Sequence, residues 1–207
     1  MKKSIIKKLT EDHGNRLIRR IDNFHISYFR IFSNFIGKFI LSYRGIKIGK
    51  GYRFYGIPHF RRFPLSSIQI GKNCTFRSDH TSNLIGVNHK CIISTHDEIA
   101  KIIIGENCGF SGTSIGAATE IRIGNNVLVG ANAIITDFDW HSDRSNTQPQ
   151  PVIIHDNVWI GVNTTVLKGV TIGQNSIIGA NSLVVKDIPA NVIAGGVPCK
   201  VLKLLVK

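Results

Sequence analysis

Apolar residues mark a ruler along this chain. Ile154, Ile160, Val166, Ile172, Ile178 and Val184 fall at an unbroken spacing of six. A helical face repeats near 3.6 residues and a strand face near 2, so a strict period of six asks for a solenoid that turns a corner at fixed intervals. Shorter runs keep the phase: Ile123, Val129 and Ile135, then Ile104 with Phe110, then Ile70 with Phe76. The residues between them describe the corner. Gly follows the ruling residue at Gly71, Gly105, Gly124, Gly130, Gly161, Gly173 and Gly179. Three places after it stands Asn, at Asn73, Asn107, Asn126, Asn132, Asn157, Asn163, Asn175 and Asn181, with Gly169 in the same role. Asn and Gly tolerate positive φ best, so each unit predicts a short strand, a left-handed corner residue and another short strand.

These linked signatures resemble the hexapeptide-repeat acyltransferases over roughly residues 46–203. The resemblance implies an all-β solenoid, a left-handed parallel β-helix with three strands per coil. Handedness comes from the resemblance and not from the period, because classical parallel crossovers are right-handed. It also implies a homotrimer with acetyl-CoA as acyl donor in a cleft between neighbouring copies. The stretch from Gly124 to Val197 is most similar to the sugar and polysaccharide O-acetyltransferases of the maltose and galactoside type.

The expected organisation is a basic, partly helical arm at 1–44, the β-helix at 45–190 and a basic C-terminal tail at 191–207. Residues 1–65 hold 15 of the 26 Lys and Arg but only three acids, Glu11, Asp12 and Asp22, and so carry most of the formal charge of +13. Phe32, Phe35, Ile36, Phe39 and Ile40 recur there at helical spacing. Such a helix either caps the first coil or rests peripherally on an anionic membrane. No run approaches the roughly 18 apolar residues of a membrane span, and the start lacks a signal-peptide pattern. No nucleic-acid reading motif accompanies the charge, so nucleic acid is not an expected partner. The scattered Cys74, Cys91, Cys108 and Cys199 read as reduced thiols in a cytoplasmic protein, and neither they nor the histidines are spaced for a metal.

The longest-phased part of the ruler, from Ile123 to Val184, breaks where chemistry is expected. After Ile135 the phase is lost, and Ile154 resumes it 19 residues on, which predicts a loop inserted near residues 136–153 with the text TDFDWHSDRSNTQPQP. Loops on rigid scaffolds commonly carry sites. Asp137, Asp139, His141 and Asp143 fall together here, and an imidazole can take the proton of an alcohol and return it.

The resemblance places the essential His of the sugar enzymes at His141, before the segment Asn157, Val158, Trp159. Asp139 is expected to orient the imidazole, Trp140 to pack beside a carbohydrate acceptor, and Asp137 and Asp143 to be solvated or substrate-facing. A departure from the sugar enzymes stands at Ser111, in the place of their acceptor-side Asn; a hydroxyl there bonds to substrate without both amide roles. His80, His89 and His96 lie in an irregular upstream segment, with His96 the reserve candidate.

The segment VVKDIPANVIAGGVPCKVLK resembles the family's coenzyme region. It assigns Lys186, Lys200 and Lys203 to coenzyme phosphates, and Gly161, Val162, Gly179 and Ala180 to a cleft for the pantetheine arm. The implied activity is acetyl transfer to a carbohydrate hydroxyl, on a surface-polysaccharide or lipid-linked sugar precursor. Transfer to an amino sugar, serine or antibiotic, and a non-catalytic trimeric scaffold, are the alternatives.

Overall fold

The structure is a computed structural model that describes residues 13–141 and 148–205; Asp143 lies outside the described residues. A helix, α1 (His13–Tyr43), leads into six coils of three strands. They are β1 (Lys47–Ile48), β2 (Arg53–Tyr55) and β3 (His59–Arg61); β4 (Ser67–Ile70), β5 (Thr75–Arg77) and β6 (Ile92–Thr95); β7 (Lys101–Ile104), β8 (Gly109–Ser111) and β9 (Ser114–Ala117). Then follow β10 (Glu120–Ile123), β11 (Leu128–Val129) and β12 (Ile134–Thr136); β13 (Val152–Ile154), β14 (Trp159–Ile160) and β15 (Thr165–Val166); β16 (Thr171–Ile172), β17 (Ile177–Ile178) and β18 (Leu183–Val184). The chain ends in β19 (Val192–Gly195) and β20 (Lys200–Leu204).

Each strand pairs with its counterpart one coil away, giving three parallel sheets that enclose a triangular core. This is a left-handed parallel β-helix. Register explains the period of six. In the first sheet Ile70, Ile104, Ile123, Ile154 and Ile172 are successive partners. In the second sheet Phe54, Phe76, Phe110, Val129, Ile160 and Ile178 stack the same way. All of these ruling residues are buried. Each buried side chain of this size contributes roughly 1.5–3 kcal/mol of transfer free energy.

The corner between the first and second sheets, here the first edge, is held by side chains as well as backbone. Asn73, Asn107, Asn126, Asn157, Asn175 and Asn191 all have φ between 57° and 61°. Each of the first five donates its amide to the Oδ1 of the next, at 2.8–3.2 Å. The second edge, between the second and third sheets, has a shorter ladder in which Asn132 donates to Asn163 and Asn163 to Asn181.

The helix caps the first coil, but not with the face that its aromatic spacing suggested. Ser33, Gly37 and Leu41 are the buried positions of that stretch, while Phe32, Phe35 and Phe39 are 50%, 64% and 62% exposed. The reason is fit to the open coil end. A Cβ on Gly37 would lie 2.5 Å from the Phe54 ring, so only glycine lets the helix settle there. Asn34 Oδ1 accepts the Phe54 N–H at 2.8 Å, a donor that the edge strand β2 would otherwise leave without a partner. Gly45, at φ 63°, ends the helix, and Arg62 bonds to the Arg44 carbonyl at 2.6 Å.

Two boundaries also shift. The interruption runs from 137 to 151, because Val152 and Ile153 already pair with Ile121 and Arg122. Beyond 190 the chain is no loose tail: β19 adds to the second sheet and β20 folds back antiparallel upon it.

The asparagine corner combines a conformational preference with a ladder bond, and substitution separates the two. Asn126→Ala is expected to cost about 2 kcal/mol by denaturant unfolding, and Asn126→Gly about half of that, because glycine restores the left-handed backbone but not the amide bonds. Equal losses for the two variants would show that backbone conformation is not what selects Asn.

Candidate active site

The third edge, between the third and first sheets, carries the interruption. Its base is a buried carboxylate. Asp137 follows β12, is fully buried, and accepts the N–H groups of Ala118 at 2.7 Å and Thr119 at 2.8 Å from the coil below. Its carbonyl accepts the N–H of Gln150 at 2.8 Å, and the Gln150 carbonyl accepts that of Gly169 at 3.0 Å in the coil above. Burial pushes the Asp137 carboxyl up from its ordinary value, against the backbone hydrogen bonds that pull it down. Asp137 is thus neither solvated nor substrate-facing: it ties both ends of the excursion to its neighbours, because the two N–H groups at the turn after β9 need an acceptor.

Above this base the chain lays down aromatic rings. Trp140 meets the His96 imidazole edge-on with centroids 4.7 Å apart, and Phe138 lies 4.7 Å from Trp140 and 5.0 Å from His96. The indole rests on Gly116, where a Cβ would approach Trp140 to 2.7 Å. His96 Nε2 is 2.8 Å from Ser94 Oγ. Burial first, and the Arg61 charge second, hold its imidazole below the ordinary value of 6.5. His96 thus supports the aromatic shelf from beneath. His141 follows Trp140 directly and is exposed. Asp139 is exposed too, and its carboxylate takes the Lys168 ammonium at 2.6 Å, from the turn one coil above. Lys186 occupies the corresponding turn one coil further on and is exposed.

Ser111 lies elsewhere, at the end of β8 on the second edge. It borders an open cavity of about 550 Å³ on the outer face of the second sheet, lined also by Arg53, Arg77, Asn83, Leu128 and Trp159. Asn83 Nδ2 donates to Ser111 Oγ at 3.1 Å, so an amide stands beside the hydroxyl, brought in from the irregular segment between β5 and β6. Arg77 stacks over Tyr55 at 4.7 Å, and Arg53 Nε donates to Thr75 Oγ1 at 3.0 Å. Within one copy Ser111 and Trp140 therefore stand on different edges, separated by the four residues of β9, about 13 Å of extended chain. His80 is exposed beside Asp79, and His89 Nδ1 lies 2.8 Å from the Lys90 carbonyl; neither enters this cavity.

Arg53, Arg77, Asn83 and Leu128 line this cavity although the sequence does not single them out, and Trp159 is marked in it only by its place after His141. One signal existed. Leu128 and Trp159 precede the ruling residues Val129 and Ile160, at the outward position of their strands, where a solvated face calls for polar side chains. Both are 54% exposed and pair with each other across β11 and β14.

The fold and this interrupted edge define a hexapeptide-repeat β-helix. Residues 151–186 match the family model described as bacterial transferase hexapeptide (six repeats), and residues 120–136 match the hexapeptide repeat of succinyl-transferase. The two matched segments are the repeats on either side of the interruption. It is 47% identical over 88 residues to a galactoside O-acetyltransferase of Escherichia coli, covering 40% of this chain and 43% of that protein. A Lactococcus lactis galactoside O-acetyltransferase is 37% identical over 139 residues, 64% of this chain and 61% of its own length. A putative lipopolysaccharide biosynthesis O-acetyl transferase of E. coli is 35% identical over 103 residues, 43% of this chain and 53% of that one. The matches thus span about half the length of these curated relatives. Among solved structures, AntD, an N-acyltransferase from Bacillus cereus, superposes with a TM-score of 0.60 at 19% identity, over 82% of this chain and 90% of that chain, which is a likeness of fold.

On the expected donor side, Lys186 stands on the third edge, and Lys200 and Lys203 project from the exposed strand β20, so the three share one end of the solenoid. Gly161, Val162, Gly179 and Ala180 line the second edge, where coils stack: Gly161 donates to the Ile178 carbonyl, and Asn181 to that of Val162, both at 2.8 Å. The two glycines differ in what they allow. A Cβ on Gly161 would lie 2.5 Å from the Ala180 backbone nitrogen, whereas one on Gly179 meets nothing closer than 3.5 Å. Gly161→Ala is expected to destabilise by about 2 kcal/mol, and Gly179→Ala by less than about 0.5 kcal/mol, in urea unfolding. A stable Gly161→Ala protein would mean that coil spacing at this edge is not set by backbone contact.

Proposed function

We propose that this protein is an acetyl-CoA-dependent O-acetyltransferase acting on a carbohydrate hydroxyl, in a surface-polysaccharide or lipid-linked sugar precursor. One observation carries the reading. The repeat is broken between the two segments that match the family models, and the break presents exposed His141 in an excursion whose two ends are joined by Asp137 and Gln150. The galactoside and lipopolysaccharide O-acetyltransferase relatives support a sugar hydroxyl as acceptor.

His141 removes the proton of the acceptor hydroxyl as that oxygen attacks the thioester carbonyl, and the imidazolium returns the proton to the departing thiolate. Backbone N–H groups stabilise the oxyanion that forms between these steps. Trp140 offers its exposed indole face to the acceptor ring. Asp139, two residues before His141, orients the imidazole in this reading, and its carboxylate is paired with Lys168. The exposed ammonium groups of Lys186, Lys200 and Lys203 suit the phosphates of the donor, and the open side of Gly179 suits its narrow arm. Ser111, with Asn83, binds acceptor on the second edge. Because that edge is not the one that bears His141, the complete site forms between copies, consistent with a homotrimer whose contact includes the apolar pair Leu128 and Trp159.

Replacing the base tests the reading. His141→Ala is expected to lower kcat by about 10²- to 10⁴-fold on an O-acetyl acceptor with an unchanged melting temperature, since the side chain is exposed. A parallel panel of amino-sugar, serine and chloramphenicol acceptors decides the acceptor class. Normal turnover in the variant sinks the base assignment, and no turnover of any acceptor by the parent favours a scaffold.

For the donor, Lys186→Ala is expected to weaken coenzyme A binding roughly three- to tenfold by calorimetry while leaving the acceptor KM within about twofold. An unchanged donor Kd would make Lys186 a solvated turn residue.

A further inference from the structure

The helix α1 has two unlike faces, and the solenoid uses one of them. Ser33, Asn34, Gly37 and Leu41 lie against the first coil. On the opposite side, Leu17, Ile21, Phe24, Tyr28, Phe35 and Phe39 fall within about 60° of arc at 100° per residue, and run for roughly 33 Å along the helix. They are 57–74% exposed. An unbroken apolar strip of this length on a folded surface marks a contact with something else.

Charge and side-chain type together choose the occupant. From residue 13 to residue 44 the chain carries Arg16, Arg19, Arg20, Arg30, Lys38 and Arg44 against the single acid Asp22. A second copy of the same face would bring these cations together at the seam. It would also have to pack phenylalanine and tyrosine rings where paired helices favour a narrower stripe of leucine and isoleucine. An anionic lipid surface suits both features: aromatic rings settle at the boundary between headgroups and acyl chains, and each arginine or lysine near the surface adds attraction. Crossing the bilayer is not at issue, since no described helix is long and apolar enough to span it.

We infer that the outward face of α1 docks this protein in the plane of an anionic phospholipid surface, while the inward face caps the solenoid. The helix is then a rigid bracket between lipid and the first coil. An acceptor presented at a membrane would meet the protein from that end, but docking itself requires no catalytic activity.

Vesicle sedimentation of the full-length protein tests this. Binding is expected to phosphatidylglycerol mixed with phosphatidylcholine at low salt, to weaken at about 0.5 M salt, and to be weak on phosphatidylcholine alone. Phe24→Asp combined with Phe35→Asp is expected to lower the partition coefficient at least about tenfold, with no loss in melting temperature, because neither ring faces the first coil. No binding to the anionic vesicles, equal binding to both vesicle types, or undiminished binding by the double variant overturns the inference. A change of sedimentation mass in the variant without lipid overturns it as well, by assigning the face to another copy of the chain.

Discussion

A single backbone conformation underlies this molecule: the left-handed corner that asparagine accepts every few residues. A corner in that region sets the angle at which one short strand hands over to the next, and strands of two to four residues have little else to hold them straight. The amide of each corner residue then reaches the amide of the next coil, so the first edge is fastened from Asn73 to Asn191 independently of the core. Because corners are uniform, the buried residues fall into register, with isoleucine over isoleucine in the first sheet and rings over rings in the early part of the second.

Such regularity gives the site a fixed floor. The excursion after β12 leaves one coil and enters the next at β13, and Asp137 makes the departure possible by accepting two backbone donors that the missing strand continuation would have left unpaired. What stands above can be irregular without loosening the coils. Phe138, Trp140 and His96 pack together over Gly116, in the residues that lead directly to His141.

The parts legible in sequence were those written by repetition. Ruling residues, corner asparagines and the location of the break follow from spacing alone, because each position is repeated enough to be counted. What spacing could not convey was any contact made once. Asp137 reads like its acidic neighbours until the turn at Ala118 and Thr119 is seen in the coil below it. Asn83 sits in a segment without phase, so nothing along the chain connects it to Ser111, 28 residues away. The helix misled for a similar reason: hydrophobic spacing points to the aromatic face, whereas docking depends on a glycine-sized gap that fits one particular ring, Phe54. A polar, small-residue face is a poor advertisement for burial, yet it is the one that matches the coil end.

A stack of parallel coils has no intrinsic last member, since the top of any coil is a template for another. Two devices close this one. At the start, α1 lies across the first coil and spends the Phe54 N–H on Asn34. At the finish, β20 reverses direction and occupies the outer side of β19 with antiparallel bonds that a further parallel coil cannot use. The protein is consequently a terminated rod, with a length set by its ends and not by its repeats, and loss of either closure would expose the kind of edge from which fibres grow.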